Sequence, residues 1–107
     1  MQEREQVIGE MVRRIVNRFS PERIILFGSH ARGTSDDDSD VDLLVVMRGG
    51  QSRRQQTVAI RTALADLRVA KDIIVVSRDY FERYRDIVGT VIWPAVREGR
   101  VLYERAA

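Results

Sequence analysis

The sequence predicts an α/β (α+β) domain, a small mixed β-sheet of three main strands flanked by about four helices around one core. Three observations carry that prediction. Apolar, β-branched runs of strand length occupy 23–27, 40–47 and 72–76, each followed within two residues by Gly28, Gly49 or Ser77. Between and around them, apolar residues recur at three- and four-residue spacing, as on the buried stripe of a helix. The chain has 107 residues, 44% of them hydrophobic, and no cysteine. That is the size of one domain over residues 1–107, able to bury roughly 65% of its surface without disulfide or zinc support.

Taken in order, Val7, Ile8, Met11, Val12, Ile15, Val16 and Phe19 form one stripe of a first helix over about 3–19, which Ser20-Pro21 stops. Arg23 to Phe27 is a buried strand ending at Gly28, and residues 29–39 make a short turn and a polar loop. Asp40 to Met47 is the second strand, ended by Gly49-Gly50. Ser52 can cap a second helix in which Ala59, Ile60, Ala63, Leu64 and Leu67 repeat up to about Val69. Asp72 to Val76 is the third strand. Ser77 is a fitting cap for a helix carrying Tyr80, Phe81 and Tyr84, and a further helix is expected over 86–98. Pro94 must start or kink it, Gly99 ends it, and Val101 to Tyr103 can add a short edge strand.

Charge and hydropathy exclude several classes. The 18 basic residues exceed the 16 acidic ones by a net charge of +2, and Lys71 is the single lysine among them. Such arginine bias favours planar, bidentate anion contacts. Acidic residues are interleaved with the arginines nearly everywhere except Arg13-Arg14 and Arg53-Arg54, which argues against a nucleic-acid surface. The longest apolar runs, Leu43 to Met47 and Ile73 to Val76, fall far short of the ~18–20 residues a spanning helix needs. The charged opening Met1-Gln-Glu-Arg-Glu lacks the apolar stretch of a signal peptide, so a cytoplasmic location is the expectation.

The chemistry concentrates at two places. Asp40 and Asp42 stand two apart at the mouth of a strand, so their side chains leave on the same face. Like charges so close call for a cation, and hard oxygen donors favour magnesium or manganese over zinc. If the 52–69 helix is a crossover, the second and third strands are parallel and Asp72 joins the pair, giving carboxylates for one or two ions. The first strand then runs antiparallel and delivers Gly28-Ser29 to the same edge. Gly28 lets backbone amides approach an oxyanion, Ser29 adds a hydroxyl, Arg32 can reach the same phosphates, and Gly33 permits a tight exit. A phosphate cradle facing a carboxylate-held metal suits phosphoryl or nucleotidyl transfer.

Gly28-Ser29, ten intervening residues, then Asp40-Val-Asp-Leu-Leu-Val45 resembles the signature of the DNA polymerase beta-type nucleotidyltransferase superfamily. Gly28-Ser-His-Ala-Arg-Gly33 with Ser39-Asp-Val-Asp42 is similar to its minimal nucleotidyltransferase branch, whose small proteins pair as antitoxins with HEPN-domain toxins. The likeness covers 24–76, and Glu98-Gly-Arg-Val-Leu-Tyr103 also fits that branch. It implies the nucleotidyltransferase fold, with Asp40 and Asp42 binding magnesium. Asp72 is then the third carboxylate, a metal ligand or the base for the acceptor hydroxyl. Gly28 and Ser29 would hold the triphosphate of ATP, assisted by Arg32. The implied reaction is attack of an acceptor hydroxyl, a tyrosine of the toxin, on the α-phosphate with release of pyrophosphate. Two alternatives stand beside it: an antitoxin acting by binding alone, and transfer to a small molecule, for which the short chain after Asp72 leaves little room.

Other conspicuous residues have plainer readings. Asp36 to Asp38 read as a solvated acidic run, and His30 as a polar loop or packing residue. Tyr80, Phe81, Tyr84 and Trp93 suit a helical core or a partner surface. Arg53-Arg54 and the pair Arg83 and Arg85 read as solvated faces that could also meet an acidic partner.

Overall fold

In a computed structural model the described residues are 4–33, 40–49 and 52–106, with the Arg32 side chain outside that set. The strand Val41–Met47 (β2) is the centre of the molecule, since every residue in it except Asp42 is buried. Its neighbours are Arg23–Phe27 (β1), antiparallel, and Lys71–Ser77 (β3), parallel. Arg100–Glu104 (β4) pairs antiparallel with the far side of β1, with a register shift between Ile24 and Ile25. The sheet order is therefore β3-β2-β1-β4.

The strand period of two sorts the apolar side chains onto two faces. On one, Leu43, Val45, Ile24, Leu26 and Ile73 pack with residues of two helices, Ile8, Met11 and Ile15 of Arg4–Phe19 (α1) and Ile60 of Arg53–Ala63 (α3). On the other, Ile25, Leu44, Val46 and Val76 meet Phe81 of Arg78–Tyr84 (α4) and Ile92 and Ala95 of Ile92–Glu98 (α5). Between β1 and β2 the single turn Ser29–Arg32 (α2) follows Gly28 directly. Thus the mixed sheet with flanking helices is present, as a four-stranded sheet with five helices among the described residues.

Local chemistry sets the boundaries. The Ser52 and Ser77 hydroxyls accept from the Gln55 and Tyr80 amides and so cap α3 and α4. The second helix stops at Ala63 rather than near Val69. Arg14 Nη1 takes the Ala63 carbonyl at 3.0 Å and the Asp66 carboxylate at 2.6 Å, drawing the chain into turns. Lys71 Nζ then holds the Leu67 and Val69 carbonyls at 2.9 and 3.1 Å. The expected helix over 86–98 begins only at Ile92, because Gly89 stands at φ 101° and the preceding residues turn. Pro94 falls in the first turn of α5, where its missing N–H is harmless. The short edge strand expected at 101–103 extends over all of β4. Phe81 is buried in the core, whereas Tyr80 is exposed. The acidic run Asp36 to Asp38 and Gly50 lie outside the described residues.

Candidate active site

Antiparallel pairing of β1 with β2 returns the end of one strand to the start of the other, which brings Gly28 onto Asp42. Phe27 is the register partner of Asp42, and Gly28 follows it at φ 75°. A Cβ on Gly28 would overlap Asp42 Oδ2 and stand 3.2 Å from its Cγ. Two demands therefore meet at one position: a left-handed backbone, and no side chain beside a carboxylate. α2 then makes its single turn and closes at Gly33, φ 74°, whose N–H reaches the Ser29 carbonyl. Ser29 and His30, both half-buried, lie on that turn.

The parallel pairing of β2 with β3 sets two of the acidic residues side by side. Asp42 and Asp72 are register partners on adjacent strands and share the sheet face that carries Leu44, Val46 and Val76. Asp40 is exposed and lies one residue before β2. The Asp72 side chain is 51% exposed, with Arg61 Nη2 3.7 Å from its Oδ1. The edge thus gathers Gly28, Ser29, Asp40, Asp42 and Asp72 from three strand ends. Among the described residues no three His, Cys, Asp or Glu side chains group closely enough to hold a metal ion, so the expected cluster of Asp40, Asp42 and Asp72 is not drawn together as one. The donors are nevertheless of the type magnesium takes, carboxylates of which Asp40 and Asp72 are exposed. Only the missing Cβ of Gly28 lets the Asp42 carboxylate stand against this turn. The Arg32 side chain lies outside the described residues.

One neighbour of the site escaped the sequence reading. Arg61 comes from the last turn of α3 and reaches Asp72 from across the crossover. Its signal was the recurrence of Arg53, Thr57 and Arg61 every four residues, a polar stripe flanking the buried Ile60.

A glycine turn set against strand-start carboxylates on a mixed sheet defines a nucleotidyltransferase domain. The chain belongs to the nucleotidyltransferase domain family, whose match runs over residues 8–99. It is also 40% identical over 42 residues to the "putative protein adenylyltransferase" of Methanocaldococcus jannaschii, a match covering 39% of this chain and 42% of that protein. The chain therefore matches less than half the length of that relative. Among solved structures, a "putative nucleotidyltransferase" from Sulfolobus solfataricus superposes with a TM-score of 0.66 at 23% identity, over 94% of this chain and 79% of that one. A toxin-antitoxin crystallised with AMP-PNP superposes at 0.56 and 20% identity, over 96% and 75%. These two likenesses describe the fold.

Proposed function

We propose that this chain acts as one nucleotidyltransferase domain that moves AMP from ATP onto a hydroxyl, a tyrosine of a partner HEPN-domain toxin, and so serves as an antitoxin. The observation that carries the reading is the fit of Gly28 against Asp42, with Asp72 in register beside it. Family membership supports the reaction type, and the toxin-antitoxin neighbours support the setting.

In this reading the Gly28 and Ser29 backbone and the Ser29 hydroxyl bind the triphosphate, with Arg32 assisting. Asp40 and Asp42 would hold one or two magnesium ions, Asp72 serving as a further ligand or as the base. Bound there, the metal would neutralise charge developing on the phosphate oxygens. The acceptor oxygen forms a bond to the α-phosphorus, the bond to the bridging oxygen of the β-phosphate breaks, and pyrophosphate leaves. Asp72, as base, takes the hydroxyl proton; its exposed position leaves it open to an incoming acceptor. Holding both reactants at one edge converts a two-body encounter into an oriented one.

The test is intact-mass measurement of this chain and the product of the adjacent reading frame, before and after incubation with ATP and magnesium. The expected result is a gain of AMP on the partner, absent with Asp42→Asn. A stable complex with no mass gain on either chain would instead leave an antitoxin acting by occlusion.

A further inference from the structure

We propose that the end of the sheet opposite the transfer edge carries a second anion site, which binds the phosphate group of a small phosphorylated molecule through Arg78 and Arg105. The proposal stands independently of the nucleotidyl-transfer reading. At this end β1 begins and the other strands finish, with Arg23 the register partner of both Val46 and Glu104. Arg48, Arg78 and Arg105 follow directly on β2, β3 and β4, so the strand pairing gathers three arginines that lie far apart in sequence. A pocket of about 390 Å³ lies among them, within the size range of small-molecule sites. The buried Val46 and Phe81 line it, and the Arg23 guanidinium stands 5.1 Å from the centre of the Phe81 ring. Backbone hydrogen bonds fix this frame before any ligand arrives. The Glu22 amide donates to the Val46 carbonyl at 2.8 Å and the Arg105 amide to the Glu22 carbonyl at 2.9 Å. A site held in place beforehand loses little freedom on binding.

Charge decides what the pocket takes. Each of the three carboxylates in the lining already has an arginine. Glu22 Oε1 accepts from Arg48 Nε at 2.6 Å, Glu104 Oε1 accepts from Arg23 Nη2 at 3.2 Å, and Glu82 pairs with Arg85 at 3.9 Å. Arg78 and Arg105 line the same pocket, and among the described residues neither guanidinium has an ion pair or a hydrogen bond. Both stand close enough to Glu22 to help hold its carboxyl below the usual range, after the Arg48 hydrogen bond that lowers it most. Two positive charges thus face one concavity without counter-charges of their own. A monoanion would leave one of them unmet. A phosphate monoester brings close to two negative charges at neutral pH and oxygens that suit bidentate guanidinium contacts. The carboxylates on the same walls oppose a nucleic-acid backbone, which needs an unbroken basic track.

The probe is glycerol phosphate, titrated at low salt without metal or nucleotide into isotopically labelled protein and followed by the backbone amide signals. Those of Glu22, Arg48, Arg78 and Arg105 should move and saturate. Affinity should fall about tenfold in Arg78→Gln/Arg105→Gln, and fall also as salt rises. Dimethyl phosphate, with similar oxygens but a single charge, should bind more weakly than the monoester. Movement confined to Gly28, Ser29 and His30 at the transfer edge would overturn the proposal, as would no movement at millimolar concentration. Equal affinity for dimethyl phosphate, undiminished binding to the variant, or binding of inorganic phosphate but not of the ester would overturn it too. If the double variant melts lower than wild type, Arg78→Gln alone, at an exposed position, replaces it and should still weaken binding.

Discussion

The demands at Gly28 are two, and a second glycine separates them. Gly28 and Gly33 both hold positive φ, yet a Cβ at Gly33 meets nothing within 4 Å whereas one at Gly28 runs into Asp42. Gly28→Ala should therefore cost about 1–3 kcal/mol of stability and abolish nucleotide binding, while Gly33→Ala should lose stability with binding retained. Thermal melting with and without Mg-ATP checks both. An Asp42→Asn variant should melt like the wild type but transfer AMP at least about a hundredfold more slowly. These residues were legible in the sequence because a glycine after an apolar strand, and acidic residues at the mouth of the next, contradict the apolar surroundings that would otherwise claim their positions. Arg61 was not legible in that way, since its partner Asp72 is brought to it by the crossover and not by local spacing.

Among the elements, those with a strong period were legible and those ended by long-range contacts were not. The stripe from Val7 to Phe19 foretells α1, and the β-branched runs foretell three strands. The end of α3 at Ala63 depends on Arg14, which lies far away in sequence. The late start of α5 depends on a turn at Gly89 that the apolar pattern of Ile87, Val88 and Val91 conceals. Arg14 also ties α1 to the segment after α3 through Asp66, while Glu10 on α1 holds its guanidinium from the other side. Hydrogen bonds from Arg13 and then Arg14 lower the Glu10 pKa from its ordinary 4.5 to about 2. A carboxylate lowered on folding stabilises fully above its unfolded value and loses that contribution as pH falls through its folded value. The stability advantage of wild type over Glu10→Gln should therefore be constant above pH 4.5 and decline toward pH 2. Melting curves of the two proteins across that range measure it.

For the whole molecule, one sheet with helices on both faces makes the core continuous through β2. Leu44 is fully buried under α4 and α5, so Leu44→Ala should lower unfolding free energy by about 2–5 kcal/mol. Val101, exposed on the edge strand β4, should tolerate Ala within about 0.5 kcal/mol. Urea titrations of both variants check the contrast. The same sheet has one busy end, where β1 finishes and β2 and β3 begin, and the site stands there because antiparallel and parallel pairing meet at β2. The most direct test of nucleotidyl transfer is to incubate the protein, magnesium and its partner with ATP labelled at either the α- or the γ-phosphate. Protein-bound label from the α-phosphate alone, dependent on Asp42, is the predicted result; label from the γ-phosphate, or α-label that survives in Asp42→Asn, would contradict it.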